Sequence, residues 1–236
     1  MAPDADRRDR LRAGLDRTRE DVAAACAEAG REPDSVRLIV VTKTFPASDA
    51  AILLEAGQSD LGENRDQEAA PKAAELAAQG LRPTWHFVGQ LQRNKARSVA
   101  RYADWVHSVD RVRLVDALDK AAAAESRVLD SLIQVSLDGD TSRGGTPAAE
   151  TTALAERIAA AESLRLRGVM AVAPLGWDSA KAFELLAECS QNVQRVEPAA
   201  TEISAGMSGD FRAAVAAGAT MVRLGRNVLG TRGPMA

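Results

Sequence analysis

The sequence has few aromatic side chains and few of the residues that bind metals. Phe, Trp and Tyr make up 3% of its 236 residues, and Tyr102 is its one tyrosine. Two histidines, His86 and His107, are too few and too scattered to indicate a metal site. The two cysteines, Cys26 and Cys189, form no CxxC pair, so we interpret them as small hydrophobic residues in a reducing compartment. A cytoplasmic location is the expectation.

Long apolar runs and a strong charge excess are also missing. No stretch has the length of a membrane span, and the charged N-terminus lacks the apolar core of a signal peptide. The net charge of −3 provides no general attraction to nucleic acid or to anionic membranes. No proline- or serine-rich linker divides the chain, so we expect one domain over residues 1–236, with residues 1–35 forming an N-terminal helix that packs on it.

Hydrophobic residues make up 46% of the chain and charged residues 27%, as expected for a globular protein with a sizeable core. After a helix at 7–29, strand and helix patterns alternate. The strands are predicted at 36–44, 60–64, 84–89, 103–109, 129–137, 165–172, 202–205 and 220–225. The helices between them are predicted at 48–56, 67–79, 93–101, 112–124, 147–161, 179–196 and 208–217.

Eight strands alternating with helices predict a parallel sheet, and the length fits a (β/α)8 barrel of the TIM type. A doubly wound open sheet is the alternative, which periodicity does not exclude. In a barrel, chemistry takes place at the C-terminal ends of the strands. Those ends carry polar residues and glycines, although strand ends that meet solvent are polar in any case.

Two neighbouring strand ends favour an anion site. The segment SAGMSGDF places Gly206, Ser208 and Gly209 between a strand and a predicted helix start, and the last strand ends at Gly225. A helix N-terminus preceded by glycines suits a phosphate, and barrels often bind phosphate after strands seven and eight. The alternative is that Ser208 is an ordinary N-cap.

Two cations are predicted to point into the barrel. Strand alternation places Arg223 on the inner face of the last strand, where its partner is either a carboxylate (Glu202 or Glu63) or a ligand. Lys43 ends the run LIVVTKTFP, and alternation directs its ammonium toward the barrel mouth. A structural salt bridge is one interpretation. The other is a lysine that forms a Schiff base with a phosphate-bearing aldehyde such as pyridoxal 5'-phosphate (PLP).

The motifs extend this interpretation. VTKTFP, DLGENRDQEA, WHFVGQLQRNKAR, VHSVDR, RLRGVMAVAP and SAGMSGDFRAAVAAGATMVRLGRNVLG closely resemble the pyridoxal phosphate homeostasis protein family, in order and over nearly the whole chain. That family is similar to the barrel domain of alanine racemase, a fold type III PLP scaffold. The resemblance implies an intracellular PLP carrier or buffer that holds PLP as a Schiff base on Lys43.

The resemblance also implies roles for the other residues of the site. Ser208 would hold the phosphate with the backbone of Gly209, Gly225 and Arg226. Arg223 would face the pyridine nitrogen. Three further residues would lie near the ring: Asn64, His86 and Met207. PLP is the expected cofactor, apo-PLP enzymes are the expected partners, and a monomer is expected in preference to a dimer.

The sequence departs from the family pattern at three positions. Relatives commonly have a threonine at Arg226, so a long cation replaces a hydroxyl beside the phosphate and compensates by charge. They often have a lysine at Arg143, where the basic charge is kept and the amine is lost. Gln58 is unusual in the turn before the second strand.

A carrier is preferred to an enzyme on chemical grounds. An arginine is a permanent cation and does not readily protonate the pyridine nitrogen, which leaves the ring a weak electron sink. Tyr102 precedes a strand, so it is expected away from the mouth, and no second domain with another base is evident.

Two other functions stay open. A Schiff-base enzyme of the aldolase or racemase type would need a general acid or base, for which Glu63, His86 and Asp138 are the candidates. A nucleic-acid- or partner-binding module would use the basic stretch that contains Arg93, Lys95, Arg97 and Arg101. A solvated helix face is the simpler interpretation of that stretch.

Overall fold

The computed structural model describes residues 5–230. The strands are β1 (Arg37–Val41), β2 (Asp60–Glu63), β3 (Thr84–Phe87), β4 (Trp105–Val109), β5 (Leu129–Ser136), β6 (Thr146–Pro147), β7 (Leu164–Met170), β8 (Glu202–Ser204) and β9 (Met221–Leu224). The α-helices are α1 (Ala5–Glu28), α2 (Ala47–Glu55), α3 (Asp66–Ala78), α4 (Ala96–Val99), α5 (Val112–Ala124), α6 (Thr151–Ala159), α7 (Ser179–Gln194), α8 (Phe211–Ala216) and α9 (Arg226–Leu229). Three single 3₁₀ turns lie at Arg93–Lys95, Thr141–Arg143 and Ala148–Glu150.

Eight of the strands form a closed parallel barrel. The order β4-β3-β2-β1-β9-β8-β7-β5 is completed by the pairing of β4 with β5, so the sheet has no open edge between them. The two-residue strand β6 adds to β5 outside this ring. The predicted (β/α)8 barrel is therefore confirmed, and the doubly wound open sheet is wrong because such a sheet does not close on itself.

Strand alternation separates an inner from an outer core, as predicted. Val222 and Leu224 of β9 point outward and pack with Val22 and Cys26 of α1. The lumen is filled by a separate apolar cluster of Ile39, Trp105, Leu132, Met170 and Met221. Arg223 shares the inward face of β9 with Met221, and it is buried. The barrel interior is thus a packed core with a few polar side chains inside it.

The N-terminal helix α1 packs on the outside of the barrel against α2, α8 and α9. Leu11 and Leu15 are completely buried in this contact. Gly14 permits the close approach, because a Cβ atom there would lie 2.5 Å from the carbonyl oxygen of Val228. Arg7 adds hydrogen bonds to Asp49 and to the carbonyl oxygen of Leu229. The first helix of the described chain therefore packs directly against the last one, α9.

Several predicted boundaries need correction. The strand predicted at 36–44 ends at Val41, so Lys43 lies in the turn that follows. The helix predicted from 147 begins at Thr151, because Pro147 is extended and pairs with Ser136. The basic stretch 93–101 is a 3₁₀ turn followed by the short helix α4.

Within residues 5–230, no helix combines the length and the apolar character that crossing a membrane requires.

Candidate functional site

The C-terminal ends of the barrel strands surround a cavity of about 790 Å³. Its lining residues come from six of the loops and strand ends, and they are Val41, Lys43, Asn64, Val88, Gly89, Val172, Met207, Ser208, Gly209, Asp210, Arg223, Gly225 and Arg226. Eight of the nine residues predicted to bind a cofactor are in this list; His86 is the exception. Residues from distant parts of the sequence therefore meet where barrel enzymes and binding proteins place their ligands.

Lys43 is positioned by a tight turn after β1. The N–H of Phe45 donates to the carbonyl oxygen of Thr42 over 3.1 Å. Thr44 has a φ of 65°, which is strained for a β-branched residue, and its N–H donates to Glu68 Oε2 over 2.9 Å. Such strain is typical of functional sites, where the surrounding structure holds the backbone in place.

A buried ion pair supports this turn. Lys72 of α3 donates to Glu63 Oε1 and, over 2.8 Å, to the carbonyl oxygen of Thr42, while the Thr42 hydroxyl donates to Glu63 over 2.7 Å. The side chains of Lys72 and Glu63 are 6% and 1% exposed. Burial raises the pKa of Glu63, against the opposing effect of the Lys72 ammonium and the Thr42 hydroxyl. These contacts join α3, β2 and the turn after β1 at Thr42, the residue before Lys43.

The turn between β8 and α8 offers hydrogen-bond donors to the cavity. In the described part of the chain, the backbone N–H groups of Ser208 and Gly209 make no hydrogen bond. A Cβ atom at Gly209 would meet nothing within 4 Å, so this side of the cavity is open. The prediction that Ser208 begins and caps the helix is wrong: α8 begins at Phe211 after Asp210, whose Oδ1 accepts the N–H of Met207 over 2.6 Å.

The loop after β9 completes this side of the cavity. Gly225 approaches β1 closely, because a Cβ atom there would lie 2.9 Å from the carbonyl oxygen of Val41. Arg226 follows at the first position of α9 and is exposed at the cavity. Ser208, two backbone donors and a guanidinium therefore line the same cavity, and together they are a donor set that fits a phosphate.

Arg223 forms part of the cavity floor and is 5% exposed. Its guanidinium donates to Ser204 Oγ over 2.6 Å and to the carbonyl oxygen of Ala171 over 2.9 Å. The carboxylates considered as its partners are used elsewhere: Glu63 pairs with Lys72, and Glu202 accepts from Thr220. Burial lowers the pKa of Arg223 to about 10, which leaves it charged at neutral pH. Arg223 is thus a buried cation with neutral hydrogen-bond partners.

His86 lies inside the barrel and is 0% exposed. Its ring contacts Asp60 Oδ1 through Nε2 and His107 Nε2 through Nδ1, each over 2.9 Å. It stacks on Trp105 with 5.6 Å between the ring centroids. The side chain leans toward the N-terminal end of β2, which explains why His86 does not line the cavity.

The other candidates for proton transfer also lie outside the cavity lining. Asp138 pairs with Arg143 in the exposed loop after β5. Tyr102 packs edge-on against Trp85 on the outer surface, and burial raises its pKa.

The basic stretch has two of its cations in ion pairs, Lys95 with Asp66 and Arg101 with Glu125. Within residues 5–230, no group of three or more His, Cys, Asp or Glu side chains is arranged to hold a metal ion.

Sequence reasoning missed some residues of the site. Val88, Val172 and Asp210 line the cavity without having been singled out. Val88 and Val172 lie at the ends of the predicted strands 84–89 and 165–172, and Asp210 lies a few residues beyond the predicted strand 202–205, so a search of every strand end would have included them. Lys72 could not be found in this way, because it lies within α3 and its role depends on contact with Glu63.

Comparisons with known proteins identify the family of this chain. A family model described as the alanine racemase N-terminal domain matches residues 12–233. A pyridoxal phosphate homeostasis protein of Mycobacterium tuberculosis is 45% identical over 245 residues, which cover 96% of this chain and 95% of that protein. A protein of the same name from Escherichia coli K12 is 39% identical over 224 residues, covering 92% and 95%. The structure of PipY from Synechococcus elongatus, with PLP bound, has a TM-score of 0.77 and 38% identity, and covers 89% of this chain and 100% of that chain.

Proposed function

We propose a function from the premise that this chain belongs to the pyridoxal phosphate homeostasis protein family, within the alanine racemase N-terminal domain fold. The chain binds PLP and acts in PLP homeostasis as a carrier or buffer. The observation that carries the proposal is the single cavity into which Lys43, Arg223 and the Ser208–Gly209 turn converge.

The residues of the cavity fit PLP. The cofactor supplies an aldehyde that condenses with a primary amine, with loss of its oxygen as water, and a phosphate that needs several donors. Lys43 supplies the amine and holds the cofactor as a Schiff base. Ser208, with the backbone of Gly209, Gly225 and Arg226, binds the phosphate, and the Arg226 guanidinium adds charge to this end.

The remaining residues orient the ring. Arg223 donates a hydrogen bond to the pyridine nitrogen and, as a guanidinium, keeps its own proton. Asn64 lines the cavity, and its Oδ1 is a buried acceptor without a hydrogen-bond partner in the described chain, so a ligand hydroxyl would satisfy it. Met207, 41% exposed at the mouth, offers an apolar contact to the ring.

We further propose that this binding is not part of an enzymatic cycle. The named candidates for a general acid or base, Glu63, His86 and Asp138, do not line the cavity. PLP held here is passed to apo-PLP enzymes, which are the proposed partners, and the protein acts as a monomer formed by one barrel domain. Both cysteines are buried free thiols, which supports a location in the cytoplasm.

Absorbance spectroscopy tests the proposal. Purified protein mixed with PLP should show a visible band that borohydride abolishes, and peptide mass spectrometry should locate the reduced adduct on Lys43. Lys43→Ala should lose the band, while Lys181→Ala, which changes an exposed lysine of α7, should keep it. A colourless wild-type protein, or an adduct on another lysine, would contradict the proposal.

Two further measurements separate a carrier from an enzyme. Loaded protein should transfer PLP to an apo-PLP enzyme and restore its activity. Prolonged incubation with L- or D-alanine should give no interconversion by chiral chromatography. Turnover that disappears in Lys43→Ala would refute the carrier role and support the racemase alternative.

A further inference from the structure

A chain of hydrogen bonds crosses the barrel interior beneath Arg223. Arg223 on β9 donates to Ser204 Oγ on β8 over 2.6 Å, and Ser204 Oγ lies 2.9 Å from His107 Nδ1 on β4. His107 Nε2 lies 2.9 Å from His86 Nδ1 on β3, and His86 Nε2 lies 2.9 Å from Asp60 Oδ1 on β2. Five side chains from five strands thus connect the floor of the cavity with the opposite end of the barrel.

The two ends of this chain carry opposite charges and the middle carries none. Burial is the main cause that lowers the pKa of both His86 and His107, so both rings are neutral. Burial alone would raise the pKa of Asp60, but hydrogen bonds from His86 and Ser59 and the charge of Arg37 lower it. Asp60 is therefore an anion, and it lines a cleft of about 280 Å³ at the far end of the barrel.

Only one arrangement of protons satisfies every bond. An ionised Asp60 accepts and does not donate, so the proton of His86 is on Nε2 and its Nδ1 is an acceptor. His107 must then carry its proton on Nε2, which leaves its Nδ1 as an acceptor for the Ser204 hydroxyl. The Ser204 oxygen, in turn, accepts from Arg223. Every hydrogen bond of the chain is therefore donated in the same direction, from the Arg223 end toward the Asp60 end.

We propose that Ser204, His107, His86 and Asp60 are positioning residues that hold Arg223, through this one-directional chain, in the place and protonation state in which it meets the ring of the bound cofactor. The inference deepens the proposed PLP-binding function and rests on it. Trp105 supports the chain, because its ring stacks on His86 and also contacts the guanidinium groups of Arg37 and Arg167. A substitution at Asp60 should therefore affect PLP bound in the cavity, although Asp60 does not line the cavity.

The proton arrangement can be measured without PLP. The sequence has two histidines, so untagged full-length protein labelled with ¹⁵N-histidine gives two ring systems in a long-range ¹H–¹⁵N spectrum. Both rings should be neutral with the proton on Nε2. A charged ring, or a proton on Nδ1 of either histidine in the folded wild-type protein, would overturn the inference whatever the protein does with PLP.

Substitutions then test the effect on the cofactor. Ser204→Ala should weaken PLP binding about tenfold and shift the absorbance maximum of the bound cofactor, because it removes a hydrogen bond to a charged group. Ser204→Thr, which keeps the hydroxyl, should restore both. Ser131→Ala is the matched control, since it removes a buried serine hydroxyl that lies outside the chain.

A second pair probes the far end. Asp60→Ala should mix the histidine tautomers and shift the spectrum of bound PLP, whereas Asp119→Ala should do neither. Asp119 is a half-buried acid of α5 that accepts the N–H of Ser163 and lies outside the chain.

The outcomes distinguish the positioning role of the chain from the proposed PLP-binding function. Folded Ser204→Ala and Asp60→Ala proteins that bind PLP with wild-type affinity and spectrum would overturn this inference and leave the proposed function standing. A wild-type protein that binds no PLP would overturn both.

Discussion

Replacing Lys72 tests the buried ion pair beneath Lys43. Lys72→Met keeps an unbranched apolar chain of similar length and removes the ammonium, so both hydrogen bonds that Lys72 donates are lost. Glu63 then keeps one donor, the Thr42 hydroxyl. Breaking a buried pair by removing one partner costs about 3–5 kcal/mol, because the other charge stays buried and uncompensated. We expect the free energy of unfolding to fall by about 4 kcal/mol at pH 8.

The loss should shrink in acid. A carboxyl whose pKa is higher in the folded than in the unfolded state binds its proton more readily when folded, so lowering the pH stabilises the fold. Burial already raises the pKa of Glu63, and removing the Lys72 ammonium raises it further. Once Glu63 is protonated, only the two lost hydrogen bonds remain, worth about 1 kcal/mol each. We therefore expect a loss of about 2 kcal/mol at pH 5.

Urea unfolding followed by circular dichroism at pH 5 and pH 8 measures both values. The double variant Lys72→Met/Glu63→Gln should recover most of the loss at pH 8, since no charge is then left unpaired. Lys181→Met, at an exposed position of α7, is the control and should unfold like the wild type. A loss below about 1 kcal/mol at pH 8, or one that does not change with pH, would refute the reasoning.

Three further predictions concern packing and the residues proposed to bind the phosphate. Gly225→Ala should weaken PLP binding about tenfold in an absorbance titration, because its Cβ would lie 2.9 Å from the Val41 carbonyl oxygen; wild-type affinity would contradict this close approach. Arg226→Thr should weaken binding about threefold at low salt and less at high salt; a loss independent of salt would exclude a charge effect. Leu15→Ala should lower the free energy of unfolding by about 2–5 kcal/mol, because its side chain is completely buried; a smaller loss in urea unfolding would show that α1 packs loosely.

The order of elements could be predicted from sequence, since each strand is a short apolar run bounded by turns. The predicted helix starts that failed did so because local contacts override the residue preferences. Ser208 is a good N-cap residue, yet Asp210 precedes α8 because its carboxylate accepts the N–H of Met207 and lengthens the turn. Pro147 is favourable at a helix start, yet β6 pairs with β5 there and delays α6 to Thr151.

The residues of the site also fall into two groups, those that the sequence could locate and those that it could not. Arg223 could be located because strand alternation fixes the face of β9 on which it lies, and Lys43 could be located because the barrel rule fixes the end of the barrel at which it lies. The contact between His86 and His107 depends on how two strands are staggered around a closed barrel. The residue pattern within either strand does not predict this stagger. The same holds for Lys72, which meets Glu63 only because α3 folds back over β2.

The contact of α1 with α9 has a consequence for synthesis on the ribosome. Helix α1 is made first, but the surface that Gly14 and Arg7 meet lies at residues 226–229. Until those residues leave the exit tunnel, the buried face of α1 lacks part of its partner surface, and the barrel lacks its last strand. Gly225 and Arg226 emerge with the same segment, so the site can form only after translation has passed this point. A chain stalled earlier should be a substrate for chaperones and unable to take up its ligand.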